Sequence, residues 1–177
     1  MKKLVLALVA SFILGSFAVQ SLNAQTKRGS FFLTGSSQFS FQTTFTEGNE
    51  EFMLSLSSSF GGFITNDLAL GLSGGVFYLS SSSSVVYSAM PTMTFFFNQG
   101  KGFIPYIGIQ AGYVGISSHG SSANGLGVGA GIGGIQMLNE HVGITLGFQY
   151  LHSRYFSDMR SAKSNTISTA IGLTTFF

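Results

Sequence analysis

The stretch Thr166–Phe177, TISTAIGLTTFF, runs to the last residue in a two-residue rhythm. Ile167, Thr169, Ile171, Leu173, Thr175 and Phe177 fall on one side of an extended chain, and Ser168, Ala170, Gly172, Thr174 and Phe176 on the other. Successive side chains of a strand point to opposite faces, so this pattern reads as a strand with one apolar face and one small or polar face.

Seven segments upstream repeat the rhythm. The first, about Phe31 to Phe41, sets Phe31, Leu33, Phe39 and Phe41 against Thr34, Ser36, Gln38, Ser40 and Gln42. The second sets Phe52, Leu54, Leu56 and Phe60 against Ser55, Ser57 and Ser59. The third opposes Leu68, Leu70, Leu72 and Val76 to Ala69, Gly71, Ser73 and Gly75. The fourth, about Val85 to Phe97, is least regular, and Pro91 within it predicts a bulge or local distortion because proline cannot donate to a ladder. The fifth places Ile107, Ile109, Ala111 and Tyr113 opposite Tyr106, Gly108, Gln110 and Gly112. In the sixth, Leu126, Val128, Ala130 and Ile132 alternate with glycines from Gly125 to Gly133. The seventh opposes Val142, Ile144, Leu146, Phe148 and Tyr150 to Gly143, Thr145, Gly147 and Gln149.

The connections are predicted to alternate in length. Thr65-Asn66-Asp67, Asn98 to Gly102 and Leu138 to His141 read as short turns, with Asn and Asp tolerating positive φ. The link around Glu47–Glu51, the serines Ser80–Ser84, Ser117–Asn124 and Ser153–Asn165 read as longer, polar loops. Only 8% of the 177 residues are charged, and those of the mature chain fall in connections or at strand margins. A soluble sheet would carry Lys and Glu on its polar face; here that face reads as Gly, Ser, Thr and Gln alone. Aromatic residues gather at strand ends, Phe31, Phe60, Phe97, Phe103 and Phe177 at one margin, Phe41, Phe52, Tyr78, Tyr87, Tyr113 and Tyr150 at the other. Two aromatic girdles around an aliphatic band describe a sheet whose apolar face meets lipid. Backbone groups in hydrocarbon must pair, so the expected fold is all-β: a closed antiparallel eight-stranded up-and-down transmembrane β-barrel.

Lys2, Lys3 and the apolar run from Leu4 to Val19 have the form of a secretory signal peptide, shorter than the about 20 residues of a spanning helix. The expected division is residues 1–24 as a cleaved leader and 25–177 as the barrel, with cleavage after Ala18 as the alternative. From Gln25 onward six basic and six acidic residues balance, so nucleic-acid binding has no electrostatic support. The absence of cysteine excludes disulfides and thiolate metal sites.

With Pro105-Tyr106-Ile107-Gly108 opening the fifth segment and Gly147-Phe148-Gln149-Tyr150 in the seventh, the mature chain resembles the small eight-stranded outer-membrane barrels of the OmpA/OmpX-like group. No OmpA-type periplasmic domain is expected after the barrel. The resemblance implies the outer membrane of a Gram-negative-type bacterium, a monomer, contacts with lipid and lipopolysaccharide, and insertion by the barrel-assembly machinery. It implies that Gly172 and the terminal Phe177 belong to the assembly signal, although Ala170 and Thr175 depart from the usual polar and aromatic residues.

Some barrels of this size are lipid A deacylases with a His-x-Ser motif, and His119-Gly120-Ser121 has that spacing. The next acid, Glu140, falls in a turn expected at the opposite membrane face, out of reach of such a base. His141 and His152 read as solvated. Gly127-Val128-Gly129-Ala130-Gly131 lacks the basic residue and following helix of a phosphate loop, and reads as inward positions filled from elsewhere by Tyr106, Gln110 and Gln149. Neither cofactor nor metal is expected. The candidate external interaction loop carries Arg154, Tyr155, Phe156, Arg160 and Lys163. The function expected is structural or surface-interacting and non-catalytic; a narrow, weakly selective pore is the alternative, and a lipid A-modifying enzyme the more remote one.

Overall fold

The computed structural model describes residues 26–43, 50–79, 84–100, 102–118, 121–157 and 160–177. They form eight strands: β1 (Phe31–Thr43), β2 (Glu50–Thr65), β3 (Leu68–Leu79), β4 (Ser84–Phe96), β5 (Phe103–Ser118), β6 (Ser121–Met137), β7 (Val142–Ser157) and β8 (Arg160–Phe176). Each pairs antiparallel with the next, and β8 returns to β1, so the sheet closes into a barrel. The seam is tied at its very end: Phe31 and Phe177 exchange backbone hydrogen bonds of 3.0 and 2.9 Å.

Register fixes the shape. Paired residues can be followed once round, from Phe32 through Gly61, Gly71, Thr92, Gln110, Gly129, Leu151 and Thr166. The path returns to β1 at Gln42, ten residues from its start. With a rise near 3.3 Å per residue and strands about 4.8 Å apart, that stagger tilts the strands by about 40°. From Phe103 to Tyr113 along β5 the wall then rises about 25 Å, the height of the apolar band in a membrane barrel.

Alternation places the side chains as expected. Phe31, Leu33, Leu56, Phe60, Leu70, Leu72, Val76, Ile107, Ile109, Val128, Ile132, Phe148, Ile171 and Leu173 are exposed on the outer wall. Of the outer girdle, Tyr78, Tyr113 and Tyr150 are exposed and Tyr87 is half-buried, whereas the side chains of Phe41 and Phe52 lie outside the described residues. Phe176 is 0% and Phe177 61% exposed, one turned inward and its neighbour outward.

Two expectations need correction. Ser153–Asn165 is not a loop: β7 continues to Ser157 and β8 begins at Arg160. Likewise β5 and β6 continue to Ser118 and from Ser121, through the stretch expected as a Ser/Gly loop. Polar residues in an antiparallel hairpin satisfy their backbone in the ladder as well in a polar layer as in hydrocarbon, so the strands run on past the apolar band and connection length does not alternate. Glu50 and Glu51 belong to β2 for the same reason; residues 44–49 lie outside the described set.

At Pro91 the expected irregularity is a local lapse in pairing and not a bulge. Leu72↔Pro91 sits in unbroken register with β3, and pairing with β5 lapses at Met90 and Pro91 but resumes in the same register at Thr92. Gly112 makes room: a Cβ there would lie 2.7 Å from the Met90 Cα and 3.2 Å from the Pro91 Cδ. The register shift falls instead in β2, between Phe63 and Thr65.

The second correction concerns the bore. Its lining is not confined to Gly, Ser, Thr and Gln, because one end is packed with phenylalanine and aliphatic side chains.

The end that holds Thr26–Ser30 and Phe177, here the near end, is finished by tight turns. Asp67 adopts φ 66° in the two-residue turn between β2 and β3, as its residue type allows. Its carboxylate accepts from Thr26 Oγ1 at 2.6 Å, and Thr26 in turn accepts from Asn98 Nδ2 at 2.9 Å. The segment before β1 is thereby strapped across two turns. In the β6–β7 turn, Asn139 Oδ1 accepts from the backbone N–H groups of His141 and Val142, both at 2.8 Å.

Candidate functional site

The bore has three levels. At the near end Phe32, Phe63, Phe96 and Phe176 pack with Ala69, Ile104, Ile135 and Met137 into a buried cluster. Ring centroids lie 5.3 Å apart for Phe63–Phe96 and 5.4 Å for Phe32–Phe96, and Phe96 meets Phe176 edge-on at 6.0 Å. Eight strands enclose space just wide enough for side chains, so four rings from four strands fill the cross-section. This is a plug. Its signal in the sequence is the run of doublets Phe31-Phe32, Phe95-Phe96 and Phe176-Phe177: adjacent residues of a strand face opposite ways, so one of each pair must point in.

Above the plug lies a cavity of about 170 Å³, lined by Ser36, Ser57, Ser73, Thr92, Gln110 and Gln149 together with apolar side chains such as Phe77, Met90 and Leu151. Hydroxyls pair along its wall between adjacent strands, Thr34 with Thr174 at 2.7 Å and Ser36 with Ser57 at 2.8 Å. Space and polar partners of this kind hold water. The glycines of β6 and β7 leave room for long side chains from the neighbouring strand β5. A Cβ on Gly133 would meet Tyr106 Cζ at 2.5 Å, and one on Gly129 would meet Gln110 Nε2 at 3.2 Å. Tyr106 and Gln110 therefore fill the glycine groove as the sequence implied, with no phosphate-loop geometry. Farther up, Met90 and Val114 are buried, and Gly127 lies against both and against Leu151.

The far end, where β5 to β8 outrun the girdle, carries the chemistry on its outer wall. Tyr150, His152, Arg154 and Phe156 point outward from β7, and Asn165 and Lys163 do so from β8. Their register sets His152 beside Asn165 and Arg154 beside Lys163. Asn165 Oδ1 accepts from Tyr150 Oη and from His152 Nδ1, both at 2.7 Å, which assigns the proton to that imidazole nitrogen. One strand pair along, Tyr113 Oη donates to Asn124 Oδ1 at 2.5 Å. The Arg154 guanidinium rests over the Phe156 ring, 5.6 Å from its centroid.

Of the five residues of the expected interaction loop, Arg154, Phe156 and Lys163 share this wall. Tyr155 turns inward and is half-buried. Arg160 opens β8, and its side chain lies outside the described residues. His152 and Asn165 are members that sequence reading missed, since their partnership depends on register.

The remaining candidates are dispersed. Gly172 lies at the β1–β8 seam, where a Cβ would collide with the Gly35 carbonyl oxygen, so closure of the sheet itself dictates glycine there. His119 and Gly120 lie outside the described residues. Ser121 begins β6, and Glu140 lies beyond the other end of that strand. His141 is exposed in the near-end turn.

No protein-family model and no curated protein matches the chain. Solved structures do. Neisserial surface protein A is 16% identical, with a TM-score of 0.71 over 84% of this chain and 99% of that one. The N-terminal β-barrel domain of Pseudomonas aeruginosa OprF is 15% identical, with a TM-score of 0.59 over 85% and 98%. The attachment invasion locus protein Ail of Yersinia pestis is 15% identical, with a TM-score of 0.52 over 85% and 99%. Likeness at this identity carries the fold, which is that of the small eight-stranded outer-membrane barrels.

Proposed function

We propose that the chain is an integral outer-membrane barrel of a Gram-negative-type bacterium, exported through its cleaved leader, and that its role is structural or surface-interacting rather than catalytic. The near end faces the periplasm and the far end the exterior. The observation that carries this reading is the contrast between a bore sealed by phenylalanine and an outer wall that presents cations, amides and aromatic rings beyond the girdle. Two of the similar structures are named for the surface, Neisserial surface protein A and the attachment invasion locus protein, and the latter has been solved with a heparin analogue.

A pore is the second reading, favoured by the cavity in mid-bore, which polar side chains such as Gln110 and Gln149 line in part. The plug argues against it, since ions would have to cross a dry aromatic layer at considerable desolvation cost. Catalysis by the His119-Gly120-Ser121 motif would need an acid other than Glu140, which sits at the other end of β6. Insertion needs the barrel-assembly machinery, with Gly172 and Phe177 in the signal it reads. The barrel acts as a monomer with lipid and lipopolysaccharide around it.

Fractionation and planar-bilayer recording test the reading together. The protein is expected in the outer membrane, with heat-modifiable gel mobility and no channel activity. Stepwise conductance from the purified wild type would overturn the sealed-bore reading in favour of the pore.

A further inference from the structure

We propose that Arg154 and Lys163 form a site for a phosphate group of an outer-leaflet glycolipid, with the carboxamides of Asn165 and Asn124 as neutral donors beside them. This rests on the outer-membrane reading above and names the partner of that wall.

Three observations converge. First, Arg154 and Lys163 are cross-strand partners with both side chains on the outer wall, and both are exposed. Like charges directly opposite each other in a sheet are unfavourable, at Cβ separations of about 5 Å. Among the described residues neither has a carboxylate within ion-pair distance, so an anion bridging the two relieves the repulsion. Second, the surrounding polar groups are turned to donate. Asn165 Oδ1 is occupied by Tyr150 and His152, and Asn124 Oδ1 by Tyr113, which leaves each amide NH₂ as what the residue can offer. A patch of guanidinium, ammonium and amide N–H groups selects an oxyanion, and Arg matches phosphate through paired N–H donors.

Third, the depth is that of a headgroup. Arg154 lies four residues beyond Tyr150 of the girdle, a rise of about 10 Å at the barrel's tilt. The side chains point sideways from the wall into the lipid layer, not upward from a tip. Tyr113, Tyr150 and Leu126 below and beside them are exposed and apolar enough to meet acyl chains. A phosphate carried on a lipid meets both halves of this surface at once, and a soluble polyanion meets only the upper half.

The test uses protein isolated from membranes in detergent, titrated with diphosphoryl lipid A and with the same lipid stripped of phosphate. Wild type is expected to prefer the phosphorylated lipid at least about tenfold, the scale of a lost charge-assisted hydrogen bond. R154Q/K163Q should lose that preference while keeping heat-modifiable mobility, and Lys163→Gln alone, at an exposed position, should lose part of it. K27Q/R28Q, the same change in charge at the near end, should retain it. Equal binding with and without phosphate, an undiminished double variant, or an equal loss in the near-end variant would each overturn the site. Tighter capture of sucrose octasulfate than of lipid A through the same pair would overturn the lipid in favour of a soluble polyanion. A barrel that fractionates with the outer membrane yet ignores phosphate loses this site alone; a chain that never enters that membrane loses the functional reading itself.

Discussion

At the near end the barrel spends its side chains on itself, with four phenylalanine rings across the bore, a threonine–aspartate–asparagine strap over the turns and a doubly bonded seam. At the far end the strands run on beyond the last tyrosine of the girdle, and two cations face outward side by side with no carboxylate at ion-pair distance among the described residues. One sheet with one tilt thus serves two purposes along its length. Packing that fills the bore stabilises and closes; groups left with bonding capacity at the surface do little for the fold and are available to a partner. The comparison predicts that substitutions at the two ends separate cleanly, near-end changes altering stability and far-end changes altering binding.

The largest effect should come from emptying the plug. Phe176→Ala removes a fully buried ring and is expected to cost about 3–5 kcal/mol in reversible unfolding from lipid vesicles. Phe177→Ala, on the exposed outer neighbour, should cost far less. If both were equally mild, the near end would be no more tightly built than the far one. A double change, F96A/F176A, should also admit water to the bore and raise the bilayer from silence to measurable conductance.

The wall itself separates lipid from lumen. Leu146→Arg, at an outward position midway up β7, should cost about 2–4 kcal/mol, the penalty for a cation near the bilayer midplane. Gln149→Ala faces the wet cavity, where water can replace the amide, and should be much milder. Equal penalties would mean that the inward and outward faces of β7 are reversed.

That the faces could be assigned from sequence at all follows from the two-residue period. Alternation is set by backbone geometry alone, so the strands, their order and the lipid-facing set from Leu33 to Leu173 were legible residue by residue. Two things were not. The plug was hidden because Phe32, Phe96 and Phe176 each adjoin an outward phenylalanine, and the girdle drew attention to the outward rings: Phe176 was read on the inner face, but Phe32, Phe63 and Phe96 were not joined to it. The extended hairpins were hidden because Ser, Asn and Lys carry turn and loop preferences that pairing with a partner strand overrides. The candidate site was half visible: Arg154, Phe156 and Lys163 were found by composition, whereas His152 and Asn165 required the β7–β8 register.

The strap at the near end gives a smaller effect with two separable parts. Asp67 holds positive φ and also accepts the Thr26 hydroxyl. Asp67→Ala should lose both, about 1–2 kcal/mol from left-handed strain and a missing hydrogen bond. Asp67→Asn keeps the turn tolerance and an acceptor oxygen, so most of that stability should remain. If alanine were as good as asparagine, the strap would hold nothing in place.

The smallest effect on stability, and the sharpest contrast with the plug, is expected at the far end. Replacing Lys163 by Gln removes one of two like charges set directly across the ladder, so the fold has a repulsion to lose and, among the described residues, no ion pair to forfeit. In phosphate-free detergent at low ionic strength the variant should unfold at the same denaturant concentration as wild type or slightly higher. The difference should shrink as salt shortens the screening length to about 8 Å at physiological strength. A clear destabilisation that persists in high salt would show that Lys163 contributes through packing, in which case the far end is built like the near one and the division between a closing end and a contacting end fails.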